Sequence, residues 1–131
     1  MGEFVRQHDP DFVDGNTIML FDNNNVGPKS FGQQSRILLV DAPSGETSVY
    51  YAGDQTSPFY SPIMGKQQQL DNDHLLITDS VNGRGFEIDA NGKIVWEYIN
   101  IVSDGVVGIA EEIERIPDSY RDVFSAANCS E

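Results

Sequence analysis

The sequence predicts an all-β protein made of two four-stranded antiparallel units and a short helical C-terminal tail. Three observations lead to this prediction. Apolar and polar residues alternate along short segments through the first hundred residues, turn-forming clusters separate those segments, and the order of strands and turns occurs twice. At 131 residues and 14.5 kDa the chain has the length of one domain.

Each predicted strand is a short run with a two-residue period. Six such runs occur, at residues 18–21, 36–41, 48–51, 75–78, 85–89 and 93–98. Between them lie clusters of glycine, asparagine and aspartate, at residues 14–16, 44–46, 71–73 and 90–92. Asn-Gly and Asp-Gly pairs supply the positive φ angles that tight hairpins need, so neighbouring strands are expected to be antiparallel.

The repetition involves two pairs of segments. The segment from Phe12 resembles the one from Leu70, since each has a polar turn, a strand and then an aspartate, Asp22 or Asp79. The segments from Ser35 and Gly83 likewise share an arginine-led strand, a turn and an aromatic strand. Two copies of a four-strand unit are typical of consecutive propeller blades. We therefore expect a partial β-propeller, with a first blade at 1–57, a second at 58–100 and a tail at 101–131.

The tail differs in pattern from the strands. Residues 109–116, IAEEIERI, place three isoleucines at helical spacing, and Pro117 would end such a helix. The following SYRDVFSAA could form one or two further turns. The expected tail is a short helical cover over a blade.

Two blades cannot close a ring, because a propeller typically has four to eight. Each of the two outer flanks would expose apolar surface that a neighbouring blade normally covers. The chain is therefore expected to be a piece of a longer protein or to self-associate through its flanks, with a closed trimer or tetramer favoured over an open stack.

Composition limits the partners. With 21 acidic and 8 basic residues the net charge is -13, which disfavours binding to nucleic acid or to a membrane surface. The longest apolar run, residues 37–40, is too short to span a bilayer, and the first ten residues lack the apolar core of a signal peptide. The lone cysteine, Cys129, leaves the compartment open.

Several runs in order carry a family resemblance: QHDPDFVDGNTIMLFDN at 7–23, SRILLVD at 35–41, and FYSPIMGKQQQLDNDHLLITDSVNGRGFEIDANGKIVWEY at 59–98. They resemble the C-terminal half of the arylsulfotransferase-like propeller family. The resemblance implies a six-bladed propeller that moves a sulfuryl group from an aryl sulfate to a phenol without a cofactor. It also implies a periplasmic or secreted location, although this chain shows no signal peptide.

In that family a histidine accepts the sulfuryl group transiently, with further histidines and an arginine around it. His8 in QHDP is similar to that nucleophile, and a neutral imidazole suits the chemistry. The other interpretation is that His8 only hydrogen-bonds Asp9 or Asp11 at the start of a strand. The second histidine, His74, is expected to be a surface residue of a hairpin turn.

Sulfuryl transfer needs cationic groups around the sulfate oxygens. Arg6, Lys66 and Arg84 are the candidate substrate-binding residues, and Lys66 falls opposite His8 when the two units are aligned. Arg36 and Arg84 occupy equivalent positions in the two units, so a structural role in each blade is the alternative for both.

Asp9, Asp11 and Asp14 have a spacing that could hold calcium, but a role as turn acids explains them better. No Cys/His set fits zinc, so no metal site is predicted.

Because most of the cationic shell is missing, the chain is expected to be inactive or weakly active alone. The alternative function is a non-catalytic propeller module that serves as a binding or assembly surface.

Overall fold

The computed structural model of the protein describes residues 4–27 and 33–125. Its first sheet has four antiparallel strands in chain order: β1 Gln7–Phe12, β2 Thr17–Asp22, β3 Arg36–Asp41 and β4 Thr47–Ala52. The second sheet has the same arrangement: β5 Lys66–Gln69, β6 Leu75–Asp79, β7 Arg84–Ile88 and β8 Ile94–Ile99. A small hairpin, β9 Ile101–Ser103 and β10 Val106–Val107, follows. A 3-10 turn at Asp118–Tyr120 leads into helix α1, Arg121–Ser125.

The predicted fold class is confirmed as all-β, with four-stranded antiparallel sheets and a short C-terminal helix. The propeller arrangement and the blade boundaries at 57 and 100 stay predictions. The six predicted strands correspond to β2, β3, β4, β6, β7 and β8. The alternation pattern did not indicate β1 or β5, because QHDPDF and KQQQ are mostly polar and their ladders form without an apolar face.

Aspartate side chains stabilise the turns between strands. Asp14 Oδ1 accepts hydrogen bonds from the backbone amides of Asn16 and Thr17, both at 2.7 Å. Asp89 does the same for Asn91 at 2.9 Å and Lys93 at 3.0 Å. These bonds hold the pKa of both carboxyls below its usual range, because they favour the charged form. Asp14 is therefore a turn acid as interpreted, whereas Asp9 and Asp11, which were given the same interpretation, lie in β1.

The core lies between the two sheets. Alternate residues of β2, β3, β6 and β7 face one another and form one buried cluster with Phe59, which comes from the connection between the sheets: Met19, Phe21, Ile37, Phe59, Leu75, Ile77, Phe86 and Ile88. The Phe59 ring meets Phe21 edge-on at 5.3 Å between centroids and Phe86 at 5.4 Å. This is the favoured geometry for aromatic pairs, so Phe59 joins the two sheets into one core.

The inter-sheet segment, residues 53–65, connects the two sheets. The backbone carbonyl of Phe59 accepts a hydrogen bond from the amide of Ser35 at 2.8 Å. The amide of Ser61 donates to Ser35 Oγ at 3.0 Å, and Ser35 Oγ donates to the carbonyl of Ser61 at 3.2 Å. Both serines are fully buried. Phe59 and Ser61 of the segment are therefore hydrogen-bonded to Ser35, which directly precedes β3.

The prediction of a helix at residues 109–116 is wrong. These residues run without helix along the outer face of the second sheet, where the amide of Ile113 donates to Thr78 Oγ1 at 3.0 Å. Arg115 exchanges two hydrogen bonds with the Gln68 side chain, at 2.7 and 3.2 Å. Side chains of the sheet form hydrogen bonds with the backbone of the tail. The extended tail therefore has partners for donors and acceptors that a helix would pair within itself. The expected cover is present but extended, and it occupies one of the two outer flanks.

Gly65 provides a test of the inter-sheet packing. Its φ is +106°, and a Cβ placed there would lie 2.4–2.6 Å from three atoms of the buried Phe21 ring. We expect Gly65→Ala to lower the free energy of unfolding by roughly 2–4 kcal/mol, combining overpacking with backbone strain.

The matched control is Gly45→Ala. Gly45 also has a positive φ, +71°, but no atom lies within 4 Å of the added methyl group. It should cost only about 1 kcal/mol from the backbone. Urea unfolding compares the variants, and equal losses would contradict the close packing of Gly65 against Phe21.

Candidate functional site

His8 lies on the exposed edge strand β1, beside a bulge. Residues His8 and Asp11 pair with Phe21 and Met19, so two residues of β1 oppose one of β2. Asp9, within the bulge, has a positive φ of 51°. Bulges redirect neighbouring side chains, and many occur beside binding sites.

The hydrogen-bond partners of His8 are Asn23 and the backbone of Arg6, in place of the expected Asp9 or Asp11. His8 Nδ1 lies 2.6 Å from Asn23 Oδ1 and 3.1 Å from the carbonyl oxygen of Arg6. Asn23 follows β2 directly and is fully buried, whereas His8 itself is exposed. One ring nitrogen is therefore held by the protein, and Nε2 remains for a ligand.

One cavity is lined by this histidine, and a second cavity adjoins the first. The smaller, about 140 Å³, is lined by His8, Asp9, Met64, Gly65, Lys66 and Glu111. The larger, about 460 Å³, shares Asp9 and Lys66 and adds apolar side chains from the first sheet and the tail: Phe12, Val13, Met19 and Ile113. We call the two together the His8 groove. Its combined size suits a small aromatic molecule.

Lys66 begins β5 and brings a cation to the groove. Its Nζ lies 2.9 Å from Glu112 Oε1 and 3.9 Å from Asp9 Oδ1. The hydrogen bond to Glu112 raises the pKa of the Lys66 ammonium, and the same bond lowers the pKa of the Glu112 carboxyl. Burial raises the pKa of Asp9, opposed in part by a hydrogen bond from the amide of Gln67. Lys66 is therefore charged but already has anionic partners.

The arginines considered in the sequence contribute less directly to the groove than Lys66 does. Arg84 Nε lies 2.5 Å from Glu97 Oε1, and its Nη1 donates to the carbonyl of Pro58 at 3.0 Å. The guanidinium lies 4.4 Å from the centroid of the Phe86 ring. Arg84 is not among the residues that line the groove. Arg36 Nε donates to the buried Asp22 at 2.9 Å. These contacts favour the structural alternative for both, while Arg6 reaches His8 through its backbone carbonyl.

His74 lies in its expected turn, but its side chain is half-buried rather than on the surface. Its Nδ1 is 2.6 Å from Glu87 Oε1, and the other oxygen of Glu87 binds Arg115 of the tail. His74 therefore helps to hold the tail on the second sheet. It lines neither cavity of the groove.

Sequence reasoning missed Asn23. It stands in an Asp-Asn-Asn-Asn run after β2, and such runs usually indicate a turn. Its partners, Ser61 and Met64, are 38 and 41 residues away, so no local pattern could reveal them.

Among residues 4–27 and 33–125, no three His, Cys, Asp or Glu residues are grouped so that they could hold a metal ion. No helix there has both the length and the apolar character needed to cross a membrane.

Comparison with known protein families gives a match over most of the chain. The family model described as arylsulfotransferase (ASST) matches residues 1–101, a range that contains β1 to β8. No curated protein and no solved structure matches the chain. The tail that lies on the second sheet falls outside the matched range.

Proposed function

Because the chain belongs to the arylsulfotransferase family, we propose that it transfers a sulfuryl group from an aryl sulfate to a phenol, with His8 as the nucleophile. The observation that carries the proposal is the engagement of His8 Nδ1 by Asn23 and Arg6 at the edge of a groove. A neutral imidazole held through one nitrogen presents the lone pair of the other to an electrophile.

The transfer runs in two displacements. In the first, the lone pair of His8 Nε2 attacks sulfur, the bond from sulfur to the aryl oxygen breaks, and that oxygen leaves with the electron pair as a phenolate. The imidazole then carries the sulfuryl group on Nε2 and a proton on Nδ1. In the second, the oxygen of the acceptor phenol attacks sulfur, the electron pair of the S–N bond returns to Nε2, and the phenol proton passes to solvent.

The groove has parts for both ends of the substrate. Phe12, Val13, Met19 and Ile113 offer apolar contact to the aromatic ring, and Lys66 offers a cation to the sulfate oxygens. The candidate roles of Arg6 and Arg84 in substrate binding are the weaker part of the proposal. Arg84 has Glu97, Phe86 and Pro58 as its contacts.

The charge around Lys66 limits the expected rate. Five carboxylates accompany one ammonium at the groove: Asp9, Asp11, Glu111, Glu112 and Glu114. Charge that develops on the transferring group needs preorganised cationic donors. We infer that the two sheets are consecutive blades of a propeller whose other blades would supply those donors, and that turnover by this chain alone is weak.

The second candidate function is a non-catalytic binding or assembly module. The observation that favours it is the same excess of carboxylates at the groove, which repels an anionic substrate. The two functions differ in whether His8 matters to any measured activity.

We also propose self-association, now through a different surface from the two flanks. The tail lies on one flank, so a ring through both flanks would have to displace it. Apolar side chains of the β9–β10 hairpin are instead exposed: Ile101 by 69%, Val102 by 61%, Val106 by 50% and Val107 by 47%. A small exposed hairpin with open edges favours pairing with a second copy in a two-fold dimer.

For catalysis the matched variants are His8→Gln and His74→Gln. With a chromogenic aryl sulfate and a phenol acceptor, His8→Gln should lose at least about 100-fold in phenol-dependent release, because the nucleophile is gone. His74→Gln should retain the wild-type rate, since His74 does not line the groove. Equal rates in wild type and His8→Gln would overturn the proposed role.

For self-association the measurement is light scattering at physiological salt. Wild type should have the mass of a dimer, and Ile101→Lys should shift it to the monomer by placing a charge in the hairpin surface. Val123→Lys, an equally exposed valine in α1, is the control and should leave the dimer intact. A monomeric wild-type protein would refute the proposal.

A further inference from the structure

We propose that Asn23 is a positioning residue that fixes the neutral tautomer of His8, with the proton on Nδ1 and the lone pair on Nε2 facing the groove. The proposal deepens the proposed function and rests on it for its catalytic meaning. Its structural content is independent of turnover, because a tautomer can be measured in the resting protein.

The orientation of the Asn23 amide is determined by its surroundings. Asn23 is fully buried, and its Nδ2 lies 2.7 Å from the carbonyl oxygen of Ser61 and 2.6 Å from that of Met64. Carbonyl oxygens only accept hydrogen bonds, so the NH2 group must face them and use both of its protons. The amide oxygen, Oδ1, is then the atom that faces His8.

The tautomer of His8 follows from that orientation. His8 Nδ1 lies 2.6 Å from Asn23 Oδ1 and 3.1 Å from the carbonyl oxygen of Arg6, and both atoms are acceptors. A hydrogen bond to either requires a proton on Nδ1. In a neutral imidazole the proton-free nitrogen is then Nε2, which is the nucleophile the proposed reaction needs.

A neutral amide suits this groove better than a carboxylate would. A carboxylate behind the ring would favour the doubly protonated imidazolium, which has no lone pair, and the groove already contains Asp9 and Glu111. Asn23 selects the tautomer without adding charge. When the ring accepts the sulfuryl group its Nδ1–H becomes more acidic, and the hydrogen bond to Asn23 strengthens as a charge-assisted bond.

The inter-sheet segment supplies the rigidity. Met64, whose carbonyl binds Asn23, has a positive φ of 60°, a conformation that a non-glycine residue adopts only when its surroundings hold it there. Ser61, the other partner, is tied to the buried Ser35. The position of His8 therefore depends on contacts made by a segment that follows it by some fifty residues in the chain.

The direct test is nitrogen NMR of the full chain labelled with 15N-histidine at neutral pH. His8→Gln assigns the two sets of ring signals, and His74 is the internal reference. Wild-type His8 should show the neutral tautomer protonated on Nδ1 in about tenfold excess over the other, as expected for a hydrogen bond of ordinary net strength. A neutral form protonated mainly on Nε2 would overturn the proposal, and the ratio itself is measured on the wild-type network.

The paired variants are Asn23→Ala and Asn82→Ala. Asn82 Nδ2 donates to the carbonyl of Tyr60 at 3.0 Å, so it holds the same segment without touching His8. Asn23→Ala should reduce the tautomer ratio about tenfold. It should also lower kcat by about tenfold with KM changed less than about twofold, mainly because the hydrogen bond that strengthens when the ring carries the sulfuryl group is lost. Asn82→Ala should leave the ratio unchanged. An equal change in both variants, or none in Asn23→Ala, would refute a positioning role.

The two proposals fail in different ways. Tautomer control by Asn23 without any His8-dependent turnover would retain the geometry and refute sulfuryl transfer by this chain. Turnover that depends on His8, with the neutral ring protonated on Nε2, would retain the function and refute the role of Asn23.

Discussion

The structure depends on the insertion of the inter-sheet segment between the two sheets. Phe59 fills the space between Phe21 and Phe86 with two edge-on contacts, and it is fully buried. The same segment presents the carbonyls of Ser61 and Met64 to Asn23. Core packing and site geometry therefore share one short stretch of backbone, and whatever loosens that stretch also loosens the hydrogen bond behind His8.

The features that the sequence could predict are those that depend on local patterns and not on distant contacts such as those of the inter-sheet segment. Alternating apolar residues indicated the inner strands of both sheets, because burial of one face imposes a two-residue period. The same rule is silent for β1 and β5, whose residues are mostly polar. These two strands carry His8 and Lys66, so the site lies where the pattern is weakest. Alignment of the two units nevertheless placed Lys66 opposite His8, and both line one cavity.

Long-range contacts account for what the sequence did not indicate. The isoleucines at 109–116 have helical spacing, but Thr78 and Gln68 bond the tail in an extended path. The sequence around Asn23 indicates a turn residue, and only the folded structure shows its hydrogen bonds to Ser61 and Met64. In each case side chains of a distant element satisfy a backbone or amide group, and local propensity decides little against such bonds.

The electrostatics of the groove set the balance between a catalytic and a non-catalytic role. The family match ends at residue 101, and the tail beyond it contributes Glu111 and Glu112 to the groove walls. Glu112 forms an ion pair with the ammonium of Lys66. The segment that covers the second sheet thus also makes the groove more acidic, which opposes an anionic substrate.

The most direct measurement is transfer of radiolabelled sulfur from an aryl sulfate to the protein, followed by peptide mapping under alkaline conditions that preserve a sulfuryl-imidazole. The account requires label on the peptide that contains His8, its loss on addition of a phenol, and no label on the peptide that contains His74. Label on another residue, or a protein that never becomes labelled while the phenol product forms, would contradict the central claim that His8 carries the sulfuryl group.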